Sequence, residues 1–249
     1  RTAHALANAA TLAAGLQQAF RSDSMGKPLH AGRAAETGAL TALAAAQGVT
    51  GAEGMLDGAR GFGNAMGRDV DWDGAVAGLG DDTVITRMTQ KNHACCGHIF
   101  AALDSVLALR GEHGLTPADV KRISVGTYAT ALEVAGNPEP ATVFEAKFSI
   151  AYCIAVALST GRVRMAAFAP ELLDDAGLRR LMGRVALHVD ADADAKAPGR
   201  RAATVTIETH DGRKLRHRSD TRKGDPESPL SDDELEEKYT ELTVPVIGE

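Results

Sequence analysis

The sequence predicts an α+β protein in which a smaller α+β domain is inserted into a mostly helical one. Three observations predict it. Apolar residues recur at helical spacing over the first part of the chain, alternate along β-branched runs in the middle, and return to a capped helix near the end. The composition is poor in aromatics (4 %) and rich in Ala and Gly, which suits closely packed helices better than a sandwich or barrel. Asp211-Gly212 between two alternating runs is a hairpin signal. On this reading residues 1–83 are one part of the helical domain, 84–221 the inserted α+β domain, and 222–249 the return to the helical domain.

Each element follows from its pattern. Residues 3–20 read as a helix with Leu6, Ala9, Ala10, Ala13, Leu16 and Phe20 on one stripe, and Gln17, Gln18 and Ser22-Asp23-Ser24 mark its exit. His4 has no neighbour that makes it a base and reads as a surface or interface residue. Gly26 and Pro28 break the chain before a second helix, residues 29–47, which Gly48 ends. A short helix is expected over 53–58, a tight glycine loop at Arg60-Gly61-Phe62-Gly63, and short helices over 64–80 with Trp72 and Val76 as packing anchors. Gly80-Asp81-Asp82-Thr83 reads as a turn. Residues 84–89 resemble a strand, Lys91 to Cys96 a polar loop, and Gly97 to Arg110 a helix. Residues 120–128 alternate as a strand and Gly136-Asn137-Pro138-Glu139-Pro140 is a rigid loop. Residues 142–159 and 171–182 read as helices, and 185–189, 203–209 and 214–219 as strands. Ser231-Asp232-Asp233-Glu234 is a capping box opening a helix through Tyr239 or Leu242.

Composition excludes several classes. The net charge is −6, so no basic field favours nucleic acid, and the basic run from Arg213 to Arg222 is flanked by acids. Three cysteines without a CxxC pair argue against a zinc site, an iron–sulfur cluster or a disulfide framework, and fit a reducing cytoplasm. No apolar run approaches membrane-spanning length and no signal peptide is visible. Asp190-Ala191-Asp192-Ala193-Asp194 lacks the glycine and terminal glutamate of a calcium loop and reads as a solvated loop.

The candidate chemistry begins at Gly26-Lys27-Pro28-Leu29-His30-Ala31-Gly32-Arg33-Ala34-Ala35. Lys27 stands at a helix mouth, where backbone N–H groups already favour an anion, and His30 and Arg33 share one face. The stretch is either an anion site for a carboxylate-rich ligand or a helix start with solvated charges. It resembles the lysine–histidine–glycine signature of the MmgE/PrpD family. Four further blocks resemble that family in order: Gly58-Ala59-Arg60-Gly61-Phe62, Lys91-Asn92-His93-Ala94-Cys95-Cys96-Gly97-His98, Glu145-Ala146-Lys147-Phe148-Ser149-Ile150-Ala151-Tyr152-Cys153, and Lys223-Gly224-Asp225-Pro226-Glu227-Ser228-Pro229-Leu230.

The resemblance implies a helical domain with a smaller lid and an active site in the cleft between them. It implies a cytoplasmic, homodimeric, cofactor-independent lyase of propionate catabolism that dehydrates a small tricarboxylate such as 2-methylcitrate, with no metal. Decarboxylation or epimerisation of a related acid is the alternative within the family. Lys27 and Lys91 match family active-site lysines by motif, and His30 is the local acid or base, or else fixes the helix start. Arg33, His93 and Cys96 are expected to contact substrate; Arg60 is a further candidate for a carboxylate. Cys95 and Cys96 either line the cleft or are small buried hydrophobes, His98 opens a helix, and Cys153 reads as core. Family members are longer, and the chain opens at Arg1 already in helical pattern. The resemblance therefore implies a C-terminal part, with an acidic residue and histidines of the active site in a preceding segment. That leaves a non-catalytic fragment or subunit, binding a partner or carboxylates without turnover, as the reading from another class.

Overall fold

Small residues decide how the first elements meet. A computed structural model describes residues 1–20, 26–81 and 83–248, and divides the chain into two compact units, Arg1–Thr83 and Val84–Glu249. In the first unit, α1 (Thr2–Thr11) packs on α2 (Gly26–Ala46). Their contact is extended by the loop after α2: the Gly51 N–H donates to His4 Nδ1 at 3.2 Å, and a Cβ at Gly51 would stand 2.7 Å from that of Ala7. His4 is thus a fixed structural residue. The first helix is shorter than its apolar stripe predicts. It stops at Thr11, and Gly15, at φ +117°, turns the chain where a Cβ would meet the His30 ring at 3.5 Å. A 3₁₀ turn, Gln17–Phe20, follows. The expected exit at Ser22-Asp23-Ser24 and the turn residue Asp82 lie outside the described residues.

Residues 53–58 form turns rather than a helix, because Gly54 takes φ +67° and the Gly58 N–H closes back on the Gly54 carbonyl at 2.7 Å. Two one-turn helices follow, α3 (Phe62–Met66) and α4 (Trp72–Val76), the latter capped by Asp71. Trp72 is an anchor, lying where a Cβ on Gly63 would fall 2.5 Å from its ring. Val76 is 57 % exposed and is not one.

The second unit opens with a correction. Residues 84–87 form a 3₁₀ turn, not a strand: Val84 and Ile85 are about two-thirds exposed and have no strand to pair with. Helix α5 (Phe100–His113) starts three residues later than its motif suggests and ends on Gly114, at φ +61°. Strand β1 (Val120–Thr127) follows, then α6 (Ala129–Ala135). The predicted helix over 142–159 is two, α7 (Val143–Ala146) and α8 (Ile150–Thr160). The break falls at Ser149, whose hydroxyl takes the Tyr152 N–H and donates to the Asn137 carbonyl at 2.6 Å. The helix expected over 171–182 is likewise split into α9 (Pro170–Leu173) and α10 (Ala176–Met182), the second capped by Asp175.

Strand β2 (Val185–Val189) pairs parallel with β1. The acidic stretch after it is a short helix, α11 (Ala191–Lys196), because Asp190 caps it by accepting the Asp192 and Ala193 N–H groups. Strands β3 (Ala203–Thr209) and β4 (Lys214–Ser219) form the expected hairpin, with Gly212 at φ +92°. The sheet order is β2-β1-β3-β4, with β1 and β3 antiparallel. The chain is therefore α+β.

The core of this unit is α8, which is buried on every face from Ile150 to Leu158, as an all-apolar helix must be. It packs on α5 and α10, and α5 in turn covers β3 and β4. The capping box at Ser231 is present, and α12 (Asp232–Ile247) runs past Leu242. Residues 222–248, which the sequence reading returned to the helical domain, are grouped with the second unit. Arg162 pairs with Glu237 at 3.1 Å, and the Met165 N–H donates to Glu241 at 3.1 Å.

Truncating the centre of α8 tests this core. Ile154→Ala is expected to cost about 3 kcal/mol, since the cavity is enclosed on all sides. Urea unfolding followed by circular dichroism measures it.

Candidate active site

The named residues fall into two groups, one in each unit. In the first, Lys27 is exposed in the first turn of α2, His30 is half-buried, and Arg33 is exposed and paired with Glu36 at 2.7 Å. An exposed pair one turn apart contributes little stability and leaves the guanidinium accessible. His30, Arg33 and Thr37 line a pocket of about 300 Å³ against Leu12 and Gly15. Thr37 is 6 % exposed, and its hydroxyl has no hydrogen-bond partner among the described residues. Arg60 is exposed on the glycine loop.

The second group is the loop from Lys91 to His98. Two backbone bonds seat it: the Ala94 N–H reaches the Val163 carbonyl at 3.0 Å, and the Cys96 N–H that of Lys147 at 2.8 Å. Lys91 is exposed, and its ammonium donates to the Cys95 carbonyl at 3.3 Å. That acceptor is neutral, and among the described residues no carboxylate pairs with Lys91. His93, expected to meet a ligand, is 4 % exposed and turned inward. Its Nε2 lies 3.0 Å from Asp104 Oδ1, and its ring meets Phe100 edge-on. Cys96, given the same role, is 7 % exposed and belongs to the core cluster with Cys95 and Cys153. Burial pushes the Cys153 thiol well above its ordinary value, and the neighbouring thiols of Cys95 and Cys96 add to this.

Sequence reasoning missed the residues that hold this loop. Asp104 also accepts the Lys223 N–H, on Oδ2 at 2.8 Å, so one carboxylate binds the loop and the tail to α5. A lone acid amid Ala101-Ala102-Leu103 and Val106-Leu107 was the available signal. Arg222 donates Nε and Nη2 to Asp225 at 3.0 and 2.6 Å, and Nη2 also reaches Thr89 Oγ1 at 2.9 Å. Beside them the Gln90 N–H reaches the Gly224 carbonyl at 2.8 Å. The chains run so close here that a Cβ on Gly224, at φ +98°, would lie on the Gln90 carbonyl. Burial acts to raise the Asp225 carboxyl, but the hydrogen bonds from Arg222 and Thr89 outweigh it, and the pKa is lowered. His98 is held by Tyr128, Nδ1 to hydroxyl 2.6 Å, and burial pushes that phenol up to about 12.

A cleft of about 870 Å³ lies elsewhere in this unit, beneath α12. Arg162, Arg164, Glu237 and Glu241 line it and neutralise one another, and none of the named site residues faces it. Among the described residues no group of three or more His, Cys, Asp or Glu side chains is placed to hold a metal ion. No helix among them is long and apolar enough to cross a membrane.

The lowered Asp225 pKa fixes the sign of a pH effect. A depressed carboxyl stabilises the fold above its unfolded pKa, near 4, and that contribution is lost as pH falls through the lower folded value. Asp225→Asn is expected to lose about 2 kcal/mol at pH 7. The gap to wild type should shrink below pH 4. Urea unfolding at pH 7 and pH 3 checks both.

Comparison with known proteins follows the same division. The MmgE/PrpD N-terminal domain model matches residues 1–75, and the MmgE/PrpD C-terminal domain model matches residues 93–249. Cis-aconitate decarboxylase of Homo sapiens is 27 % identical over 219 residues, covering 86 % of this chain and 45 % of that protein. The cis-aconitate decarboxylase-like protein oryM of Aspergillus oryzae is also 27 % identical, covering 99 % of this chain and 54 % of its own length. The chain thus spans about half the length of these relatives. Since the C-terminal match alone takes in more than half of the residues, and the five sequence blocks run collinear with both matches, this chain belongs to the MmgE/PrpD family.

Proposed function

We propose that this chain carries cationic site residues of a cofactor-independent lyase acting on a small tricarboxylate. The observation that carries the reading is Lys91: an exposed ammonium on a loop seated by backbone hydrogen bonds, held by a carbonyl and, among the described residues, by no acid. Proton removal beside a carboxylate drives charge into a group that is already anionic. Fixed cations aimed at that group stabilise the developing charge more than the ground state, which is what catalysis requires. Lys27 in the first unit and Lys91 in the second are assigned to that role, with His30 as the proton carrier and Arg33 binding a second carboxylate. The inward-turned His93 is reassigned from contact to positioning. It fixes the loop from which Lys91 extends, and Cys96 does the same through its backbone. On this reading residues 84–221 are the lid, and the working form is a homodimer in the cytoplasm.

Dehydration of 2-methylcitrate is the first substrate reading. Decarboxylation of cis-aconitate is the second, favoured by the names of the two relatives, both cis-aconitate decarboxylases or like them. In dehydration, proton removal builds charge beside the carboxylate before the C–O bond breaks and water leaves. In decarboxylation, the breaking C–C bond itself leaves its electron pair beside the remaining carboxylate as CO2 departs, and a proton then takes up that pair, so the same cations serve either.

Proton NMR of the purified chain in heavy water, with 2-methylcitrate, citrate and cis-aconitate in turn, separates them. Loss of water, loss of carboxylate, or exchange at the substrate carbon each names a reaction. Lys27→Ala and Lys91→Ala are each expected to lower the rate at least about 100-fold, as for loss of one oxyanion donor, with little change in melting temperature. Retained turnover in either variant removes that lysine from the mechanism. No turnover by the folded chain favours the non-catalytic fragment.

A further inference from the structure

We propose that Arg201 and Arg222 converge over Gly97 to form a carboxylate-binding site, assigned by neither the sequence motifs nor the family matches. The point where a Cβ on Gly97 would stand is 3.4 Å from Arg222 Nη1 and 3.9 Å from Arg201 Nη1. The two guanidinium nitrogens therefore face a common space that glycine leaves open, and they lie no more than about 7 Å apart. A carboxylate whose oxygens accept at about 2.8 Å bridges such a pair, one oxygen to each guanidinium.

The two arginines are prepared differently. Arg222 spends Nε and Nη2 on Asp225 and Thr89, which fixes its plane and leaves Nη1 toward Gly97. Arg201, half-buried just before β3, makes no ion pair and no side-chain hydrogen bond among the described residues. Among the described residues, the two guanidinium charges are paired with one carboxylate, that of Asp225. A partly buried guanidinium without a counter-ion is costly unless an anion supplies one. The floor is rigid as well. The Cys96 N–H is bonded to the Lys147 carbonyl, and His98, on the other side of Gly97, is held by the buried Tyr128 hydroxyl. Two guanidinium N–H donors, one from each arginine, suit the two oxygens of a small organic acid's carboxylate. The choice of a polycarboxylate as probe rests on the proposed substrate class; the geometry of the site does not.

Citrate titrated into the ¹⁵N-labelled chain tests this, with the Gly97 and His98 amide signals as the readout. Saturable shifts of these amides are expected. Arg201→Gln should weaken citrate binding at least 10-fold, and Arg200→Gln, at the exposed neighbour, should leave it unchanged. Gly97→Ala is the second variant. Its methyl makes only ordinary contacts, so it folds, yet it fills the space and should also weaken binding at least 10-fold. Equal affinity in Arg201→Gln, no saturable shift in wild type, or inorganic phosphate binding as tightly as citrate would each overturn the proposal. Turnover is scored separately. Citrate bound through Arg201 without turnover of any acid keeps this site and removes the lyase reading. Turnover with citrate binding indifferent to Arg201 does the reverse.

Discussion

One carboxylate organises the second unit. Asp104 projects from the largely buried first half of α5, and each of its oxygens is used: Oδ1 by the buried His93 ring and Oδ2 by the Lys223 N–H. An acid so placed is stable only with donors on both oxygens, and those donors come from opposite ends of the unit's sequence. Once Asp104 is satisfied, the loop that carries Lys91 and the tail that carries Arg222 lie side by side. The Gln90–Gly224 backbone bond and the Arg222–Asp225–Thr89 cluster then extend that contact.

The cationic surface follows from this arrangement. Lys91 extends from a loop seated by backbone bonds, Arg222 is held by Asp225 and Thr89, and of Lys91, Arg201 and Arg222 only Arg222 pairs with an acid among the described residues. Charges held in this way need no reorganisation when an anion arrives, which is the condition for electrostatic stabilisation of a developing carbanion. The contrast with the cleft beneath α12 is physical. There the arginines face glutamates, and the charge is spent within the protein.

Elements with local causes were legible in the sequence. The Asp211-Gly212 hairpin, the capping box at Ser231 and the β-branched run of β1 each carry their signal within a few residues. Elements decided by distant partners were not. Residues 84–87 have the composition of a strand but no neighbour to pair with, so they coil into a turn. The helical pattern over 142–159 hides a break made by Ser149 bonding to Asn137. The site divides in the same way. Lys27 and Lys91 stand in recognisable motifs, whereas Asp104, Arg201 and Arg222 gain meaning only when the fold brings positions about a hundred residues apart into contact. His93 reads from its motif as a ligand contact, and its inward direction was not readable, since its partner Asp104 lies eleven residues on, in α5.

If Asp104 is the tie on which the site depends, its removal should loosen two segments and spare the rest. Hydrogen exchange of Asp104→Ala, read by mass spectrometry against wild type, measures this most directly. The account predicts faster exchange over residues 89–98 and 221–225, with α8 as protected as before. Unchanged protection in both segments, or an equal loss across the whole second unit, would contradict it.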